Sequence, residues 1–346
     1  MRIMHEVTVP QKLLENGNIK EPGFARKLIW NYSRNDITAP RARIKEWDYY
    51  IITDQKNSLD LTISDCGYIA LASCSIVNFE KKKSEKVSSI KPFPMGKLKM
   101  PSTSVKGNVS YKSGSTEVIF ANDGNVRILD GRFPKFGKEK VDLAFHIKLT
   151  DFPTDSMVIA TPFDKAGCFY YNQKINAMKA SGVVMIGSEK IVFEPKDAFG
   201  TLDWGRGVWP YESTWYWCSL SEKLPSGDII AWNLGCGFGN TSAASENMIF
   251  INGKAHKTED VEFTIPADEA GRDDFMRPWR ITSSDNRVEL TMEPIYDKAG
   301  PVNIGILAMV SHQVFGKFSG YVVLDDNTKI NIDGLIGFAE KVHNKW

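Results

Sequence analysis

The sequence contains no long hydrophobic run and almost no net charge. No apolar segment reaches the roughly 20 residues that a membrane-spanning helix needs. Lysines and arginines number 43 against 42 aspartates and glutamates, which leaves a formal charge of +1. A general electrostatic attraction to nucleic acid or to an anionic membrane is therefore not expected. We predict no nucleic-acid partner and no integral membrane segment.

Cysteine and histidine are scarce as well, and neither forms a metal-binding pattern. The five cysteines are dispersed and never occur as CxxC, and the five histidines show no close ligand spacing. This usage is typical of buried thiols in a reducing compartment rather than of disulfides or zinc. The N-terminus also lacks a basic stretch followed by an apolar core. We predict a cytoplasmic protein without a metal site.

Sequence motifs for common cofactors are missing too. The chain has no GxxxxGK[ST], no strand-linked GxGxxG, no HExxH, no GxSxG and no EF-hand pattern. The glycine-rich segment 235–239 lacks the spacing of a phosphate cradle and a helix to follow it. We therefore expect no cofactor.

What the chain does contain is many short runs of β-branched and aromatic residues, separated by turn residues. Segments 122–124 (Asn-Asp-Gly) and 325–327 (Asp-Asp-Asn) each join two such runs, which predicts two hairpins. Further strands are predicted at 47–53, 58–64, 68–75, 141–149, 182–193, 215–220, 228–234, 248–251, 261–265, 279–283, 287–294 and 302–315.

This number of strands, without long intervening helices, indicates antiparallel meanders that close into barrels or sandwiches. Helices are expected to be few. Apolar residues recur at helical spacing near the end of the chain, which predicts a C-terminal helix over 335–346, and a second short helix is predicted over 164–178. The charged, proline-containing segment 80–101 is predicted to be a surface loop.

Aromatic and charged side chains are most concentrated in segment 199–217, which holds four tryptophans, two tyrosines and three glycines. Arg206 lies between two of the glycines, which permits a bend or bulge that turns its guanidinium inward. Asp203 is close enough in sequence to pair with it, and Trp204 and Trp209 offer ring faces for stacking. Two interpretations stay open: a structural ion pair, or a polar pair that serves a pocket as acid or anion clamp.

Beyond Pro210 the alternation of a strand places Tyr211, Trp215 and Trp217 on one face and Glu212 on the other. Glu212 is then either a second candidate acid or a solvated carboxylate. The following strand presents Asn233 on one face and Trp232 on the other. Asn233 either orients a polar ligand group or bonds to nearby backbone.

Two further regions supply candidates. His312 ends an apolar strand and is either a structural residue or a proton shuttle. Trp47 and Tyr49 lie in an early block with two carboxylates, and either line the mouth of an N-terminal barrel or pack in its core.

Five segments together resemble the DUF2804 family, and the resemblance extends over nearly the whole chain. The segments are EPGFARK at 21–27, IKEWDYY at 44–50, DWGRGVWPY at 203–211, HQVFGKFSG at 312–320 and GFAEKVHNKW at 337–346. The Asp-Trp-Gly-Arg block is the most specific of them. This resemblance identifies relatives but implies no reaction.

More distantly, segment 200–206 is similar to the Gly-x-x-Trp-x-Asp-x-x-Trp-type segment of the carotenoid hydratase and AttH-like proteins, with the aromatic after the aspartate shifted. Those proteins have two lipocalin-like β domains that hold apolar ligands. The resemblance implies an all-β fold of two consecutive antiparallel lipocalin-like β-barrel domains, at 1–187 and 188–346, with few short helices. The DWGRGVWPY motif would lie in the second domain, and Asp203 would take the place of that family's aspartate.

The leading hypothesis is a hydrophobic or amphipathic small molecule bound in an aromatic-lined cavity near the domain junction. Catalysis there would be cofactor-free hydration, isomerisation or cyclisation of an unsaturated substrate, by a hydratase-type lyase or an isomerase. Asp203 would be the proton donor and His312 or Tyr211 the relay, whereas a salt bridge to Arg206 would keep Asp203 ionised and remove that role. The ligand-binding candidates are Trp47, Tyr49, Trp204, Arg206, Trp209, Glu212, Trp215, Trp217, Trp232 and Asn233.

Two alternatives stay open. In the first, the protein is a non-catalytic carrier or sensor, in which Arg206 clamps a ligand carboxylate. In the second, it is a structural β protein whose aromatic run is core. The sequence does not determine the oligomeric state.

Overall fold

The computed structural model describes residues 4–300, 302–303 and 308–345. These residues form β-strands and two short 3-10 helices, Arg34–Asp36 and Arg41–Arg43. The strands of the first part of the chain are β1 Gln11–Lys12, β2 Leu14–Glu15, β3 Asn18–Ile19, β4 Gly23–Ala25, β5 Trp30–Asn31, β6 Ile44–Thr53, β7 Asn57–Asp65, β8 Ile69–Asn78, β9 Lys83–Pro92, β10 Val109–Ser113, β11 Thr116–Asn122, β12 Arg127–Phe136, β13 Val141–Thr150, β14 Met157–Pro162, β15 Phe169–Ile186, β16 Glu189–Phe193 and β17 Phe199–Val208. Those of the second part are β18 Glu212–Lys223, β19 Ile229–Cys236, β20 Met248–Ile251, β21 Lys254–Lys257, β22 Val261–Thr264, β23 Trp279–Ser283, β24 Val288–Ala299, β25 Val302–Asn303, β26 Ala308–Val323 and β27 Lys329–Lys345.

The first sheet is antiparallel and curls into a nearly closed barrel. Its strands follow the order β10-β11-β12-β13-β15-β17-β6-β7-β8-β9, and β4, β14 and β16 are attached beside β15. The two end strands approach each other at Tyr111 of β10, whose hydroxyl lies 3.1 Å from Ser89 Oγ of β9. The ammonium of Lys91, also on β9, lies 5.1 Å from the same ring. Alternate residues of each strand fill the barrel with one apolar core.

The second sheet is also antiparallel and forms a half-barrel, in the order β21-β20-β19-β18-β27-β26-β24-β23-β22 with β25 beside β26. Its own core includes Trp232 and Trp279, both fully buried. The first sheet therefore ends with β17 and the second begins with β18. The domain boundary between residues 187 and 188 stays a prediction.

The two sheets pack together along β15 and β17 on one side and β18 and β19 on the other. Asn176 Nδ2 donates to Ser219 Oγ at 2.9 Å and to the Trp232 carbonyl at 3.2 Å. Thr201 and Ser221 hydroxyls lie 3.2 Å apart across the same junction. A separate hydrophobic cluster, drawn from both sheets, fills the remaining space between them.

The all-β, barrel-type fold predicted from the sequence is confirmed. Both predicted hairpins are present, as β11–β12 and as the ends of β26 and β27. Part of the predicted strand 302–315 falls on 304–307, outside the described residues.

Both predicted helices are wrong. Segment 335–345 belongs to β27, and segment 169–178 belongs to β15. The last residue of the predicted C-terminal helix, Trp346, lies outside the described residues. Each strand is covered on both faces over much of its length, so apolar residues occupy consecutive positions and the period of two disappears. Apolar spacing that matches a helix is then accidental.

The charged segment 80–101 is a loop only in part. Residues 83–92 form β9, which pairs with β8 and lies at one end of the sheet. Its three lysines, Lys83, Lys86 and Lys91, are the kind of charge that commonly protects an edge strand from pairing with other chains.

Candidate functional site

Three residues form a row across the middle of the first sheet. Strand β17 lies between β15 and β6, and its Asp203 pairs with Lys174 on β15 and with Tyr49 on β6. Neighbours in such a row lie close together on one face. Because alternate residues point to opposite faces, Trp204 and Arg206 point into the barrel while Asp203 points out of it towards the second sheet.

Gly205 lets an indole lie flat against this face. A Cβ at Gly205 would come within 2.0 Å of the ring of Trp47, its partner on β6. The Trp47 ring stacks on Tyr170 with centroids 6.4 Å apart and lies 6.1 Å from Trp209. A glycine at this position therefore makes room for an aromatic wall.

A second row faces the first from the other sheet. Trp217 of β18 pairs with Glu340 of β27, which pairs with Gln313 of β26, which pairs with Lys298 of β24. The rows meet at Trp217, whose ring lies 6.1 Å from that of Tyr49. The two rows, one from each sheet, therefore face the same space between the sheets.

Between the rows lies a cavity of about 350 Å³. Its walls are mainly aromatic, and its polar groups come from both rows. The lining residues are Trp47, Tyr49, Thr62, Ser64, Cys66, Leu71, Tyr170, Lys174, Asp203, Trp209, Trp215, Trp217, Phe238, Lys298, Met309, Ser311, Gln313, Glu340, Val342 and Asn344.

Lys174 and Asp203 form a salt bridge in the cavity wall. Lys174 Nζ lies 2.9 Å from Asp203 Oδ1, and the same oxygen accepts a hydrogen bond from Asn172 Nδ2 at 2.6 Å. The ammonium also lies 4.2 Å from the ring of Trp217, where the π-face attracts a cation. The lysine side chain is 2 % exposed and that of the aspartate 12 %. Both donors bind the same oxygen, Oδ1, and Asp203 lines the cavity.

Glu340 differs from Asp203 because it forms no salt bridge within the described part of the chain. Its Oε1 accepts from Trp215 Nε1 and its Oε2 from Gln313 Nε2, both at 3.2 Å. Burial raises the pKa of Glu340 to about 7, and the hydrogen bond from Trp215 offsets only part of that rise. A carboxyl group that is partly protonated near neutral pH therefore lines the cavity.

A second acid lies behind the wall. Burial raises the pKa of Glu246 to about 6, with the charge of Lys174 acting against the rise. Tyr170 Oη donates to Glu246 Oε2 at 3.3 Å, and Glu246 is not among the lining residues. Glu246 therefore contacts the wall residue Tyr170 without lining the cavity itself.

Arg206 does not pair with Asp203. Its Nη2 donates to Asp48 Oδ1 at 3.0 Å and its guanidinium stacks over Trp204 at 4.2 Å. The remaining bonds go to the backbone oxygens of Trp47, Gly205 and Pro101, so all three nitrogens are engaged. The side chain is fully buried inside the first barrel. The ion pair of Arg206 is therefore made with Asp48 and not with the predicted partner Asp203.

Other predicted site residues lie away from the cavity. Trp204 packs in the first barrel and Trp232 in the second, while Asn233 Oδ1 accepts from Trp217 Nε1 at 2.7 Å from behind the wall. Tyr211 is 48 % exposed. Glu212 is exposed beside His343 and Lys345.

His312 is also outside the cavity. Its Nδ1 lies 2.7 Å from Asp297 Oδ2, and its ring stacks on Phe275 at 3.7 Å. The structure does not bring His312 or Tyr211 together with Asp203. Their predicted roles as proton relays stay predictions.

Six predicted residues do meet around the cavity: Trp47, Tyr49, Asp203, Trp209, Trp215 and Trp217. Lys174, Gln313 and Glu340 also line the cavity and were not predicted from the sequence. Lys174 and Glu340 lie in the two segments that were wrongly predicted to be helical. A strand assignment would have placed Glu340 on the same face as Val342, and Lys174 on the same face as Tyr170 and Asn172.

Two negative findings concern the described residues only. None of their His, Cys, Asp and Glu side chains form a group of three or more that could hold a metal ion. No helix among them has the length and apolar character to cross a membrane.

Comparison with known proteins identifies the family and the fold. The sequence model of the domain of unknown function DUF2804 matches residues 4–346, and the chain belongs to this family. No functionally curated protein matches the sequence.

Among solved structures, an AttH-type protein from Nitrosomonas europaea is similar at 14% identity and a TM-score of 0.50, over 89% of this chain and 93% of that one. Kievitone hydratase from Nectria haematococca matches at 13% identity and a TM-score of 0.46, over 87% and 88%. CghA matches at 9% identity and a TM-score of 0.49, over 87% of each chain. The first of these likenesses supports the lipocalin-like fold and nothing beyond it.

Proposed function

For this member of the DUF2804 family, we propose that the cavity binds a hydrophobic or amphipathic small molecule and protonates an unsaturated substrate. The reaction class is hydration, isomerisation or cyclisation without a cofactor. One observation carries the proposal: Glu340, with its pKa raised to about 7, shares an aromatic cavity with the Lys174–Asp203 pair.

The size and the aromatic walls of the cavity support the binding of a small molecule. Ligand pockets are typically several hundred Å³ in volume and mainly apolar, with a few placed polar groups, and this cavity of about 350 Å³ has that character. Each Å² of apolar ligand surface removed from water contributes roughly 25 cal/mol. Flat unsaturated rings would find stacking partners in Trp47, Trp215 and Trp217.

The proposed proton transfer uses the two carboxyl groups of the cavity, Glu340 and Asp203. The protonated carboxyl of Glu340 gives its proton to one alkene carbon, and the π electrons form the new C–H bond. In hydration a water oxygen adds to the neighbouring cationic carbon and its extra proton returns to a carboxylate. In isomerisation an adjacent C–H loses the proton instead. The tryptophan faces and the Asp203 carboxylate stabilise the positive charge that develops.

This proposal gives the proton-donor role to Glu340 rather than to Asp203. Asp203 Oδ1 accepts from two donors, Lys174 and Asn172, which is the arrangement of an ionised carboxylate. Asp203 would then stabilise charge or take up the proton of the attacking water.

The test measures deuterium incorporation from D₂O into a panel of unsaturated cyclic terpenoids. Glu340→Gln should lower incorporation by about 10²–10⁴-fold, the usual worth of general acid catalysis, while affinity changes little. The wild-type rate should fall as pH rises through about 7, because the acid form of Glu340 is lost. Glu212→Gln, at an exposed acid outside the cavity, is the matched control. An unchanged rate in Glu340→Gln would remove Glu340 from the mechanism; loss of incorporation in Asp203→Asn alone would return the donor role to Asp203.

A further inference from the structure

The cavity wall built by β26 and β27 holds acceptors that lack donors. Gln313 and Asn344 both line the cavity and are 5% and 3% exposed. Within the described residues, neither Gln313 Oε1 nor Asn344 Oδ1 has a hydrogen-bond partner. Leaving a buried acceptor unpaired costs about 1–3 kcal/mol, so a ligand that brings a donor to it gains affinity.

The orientation of the Gln313 amide is fixed by its neighbours. Its Nε2 donates to Tyr49 Oη and to Glu340 Oε2, at 3.2 Å in both cases. In this orientation the amide nitrogen faces two oxygens, Tyr49 Oη and Glu340 Oε2. Oε1 is therefore the end of the amide without a partner among the described residues, on a side chain that lines the cavity next to Glu340.

The two lysines that line the cavity, by contrast, each form a salt bridge with an aspartate. Lys174 pairs with Asp203, and Lys298 pairs with Asp60, which also accepts from Ser58 Oγ at 2.6 Å. Glu340 adds a partly ionised carboxyl group without a cation of its own among the described residues. A ligand carboxylate would displace an existing partner or meet like charge, and either costs affinity.

On the basis of the proposed function, we infer that the ligand is a neutral, ring-bearing alcohol or phenol whose hydroxyl donates to Gln313, and that the cavity discriminates against the matching carboxylic acid. A hydroxyl held at Gln313 places the adjoining unsaturated carbons beside Glu340. Gln313 is thus a positioning residue that selects the substrate by its donor.

The test uses three probes on one flat skeleton: 9-phenanthrol, 9-methoxyphenanthrene and phenanthrene-9-carboxylate. Isothermal titration calorimetry with the full chain at pH 7.5 should show the alcohol binding about 3- to 10-fold more tightly than the ether, as one recovered hydrogen bond predicts. The carboxylate should bind more weakly than both. Gln313→Met, which keeps the volume and removes the acceptor, should abolish the preference for alcohol over ether. Gln11→Met, at a glutamine outside the cavity, should preserve it.

Each outcome is decisive. Equal affinity of wild type for alcohol and ether, or tightest binding of the carboxylate, would overturn the inference and leave the proposed function standing. A preference that survives in Gln313→Met would overturn the assignment to Gln313. Failure of all three probes to bind would overturn the proposed function itself. The wild-type comparison holds even if Gln313→Met does not fold.

Discussion

Arg206 shows how a conspicuous residue serves the fold. In sequence it lies three positions from Asp203, yet the strand period sends the two side chains to opposite faces of β17. Asp48, one strand away, becomes its partner at 3.0 Å. Burial raises the pKa of Asp48 and the positive charge of Arg206 opposes the rise, so the pair is interdependent.

Removing Arg206 should therefore damage stability rather than ligand affinity. We expect Arg206→Met to lower the free energy of unfolding by about 3–5 kcal/mol, because Asp48 is left buried without its cation. Urea denaturation measures the loss, and the double variant Asp48→Asn/Arg206→Met should recover part of it. A folded Arg206→Met protein that loses affinity for acidic ligands would instead support the anion-clamp hypothesis.

At the scale of the element, Gly205 determines how closely Trp47 of β6 packs against β17. Gly205 has an ordinary extended backbone, so its value lies in the missing side chain, which allows the Trp47 ring to lie against the strand. In the sequence, the glycines on either side of Arg206 permit a bend or bulge there. The regular pairing of β17 with both neighbours through Gly205 and Gly207 shows close approach instead.

Gly205→Ala should accordingly push Trp47 out of place. A Cβ 2.0 Å from a rigid indole cannot be accommodated without movement, and overpacking of this kind costs typically about 1–3 kcal/mol. We expect lower stability by urea denaturation and weaker binding of 9-phenanthrol by calorimetry. Trp47→Leu/Gly205→Ala should regain stability but not affinity. Full affinity in the single variant would show that Trp47 is not part of the binding wall.

Burial on both faces of a strand explains why two helices were predicted wrongly. In β15, Tyr170 and Tyr171 point to opposite faces and are both fully buried, one against the second sheet and one inside the barrel. A strand of this kind carries no polar side from which its period can be recognised. The sequence therefore predicted helices in the two segments that carry Lys174 and Glu340.

Across the whole molecule, Glu222 ties the two sheets together. Its Oε1 accepts from Gln55, in the turn between β6 and β7 of the first sheet, and its Oε2 accepts from the Ile336 amide at 3.3 Å. Burial raises the pKa of Glu222 from 4.5 to about 7. A raised carboxyl pKa means that the neutral form stabilises the fold, so this contribution is complete below about pH 4.5 and is lost as pH rises through about 7.

We therefore expect the Tm of the wild type to fall between pH 5 and pH 8. Glu340 and Glu246, with pKa values raised to about 7 and about 6, act in the same direction. Glu222→Gln should raise Tm at pH 8 and reduce the slope, as differential scanning calorimetry can measure. Glu212→Gln, at an exposed acid, should leave the slope unchanged. An unaltered slope in Glu222→Gln would show that the junction carboxyl does not titrate in this range.

The predicted domain boundary can be tested with two fragments. A chain ending at residue 187 lacks β17 and separates β15 from β6 in the middle of the first sheet, whereas one ending at residue 210 keeps that strand. We expect cooperative thermal unfolding by circular dichroism only for the fragment 1–210. Cooperative unfolding of the fragment 1–187 would support the boundary predicted from the sequence.

The sequence by itself determined the strand-rich, barrel-type fold and the two hairpins, because turn residues and β-branched runs are local signals. Only the tertiary structure decided which charges share the cavity. Lys174, Asp203 and Glu340 lie on strands that are distant in the chain, and their pairing depends on sheet order and on which face each strand turns inward. The pKa of Glu340 likewise comes from its burial between two sheets, which no local pattern records.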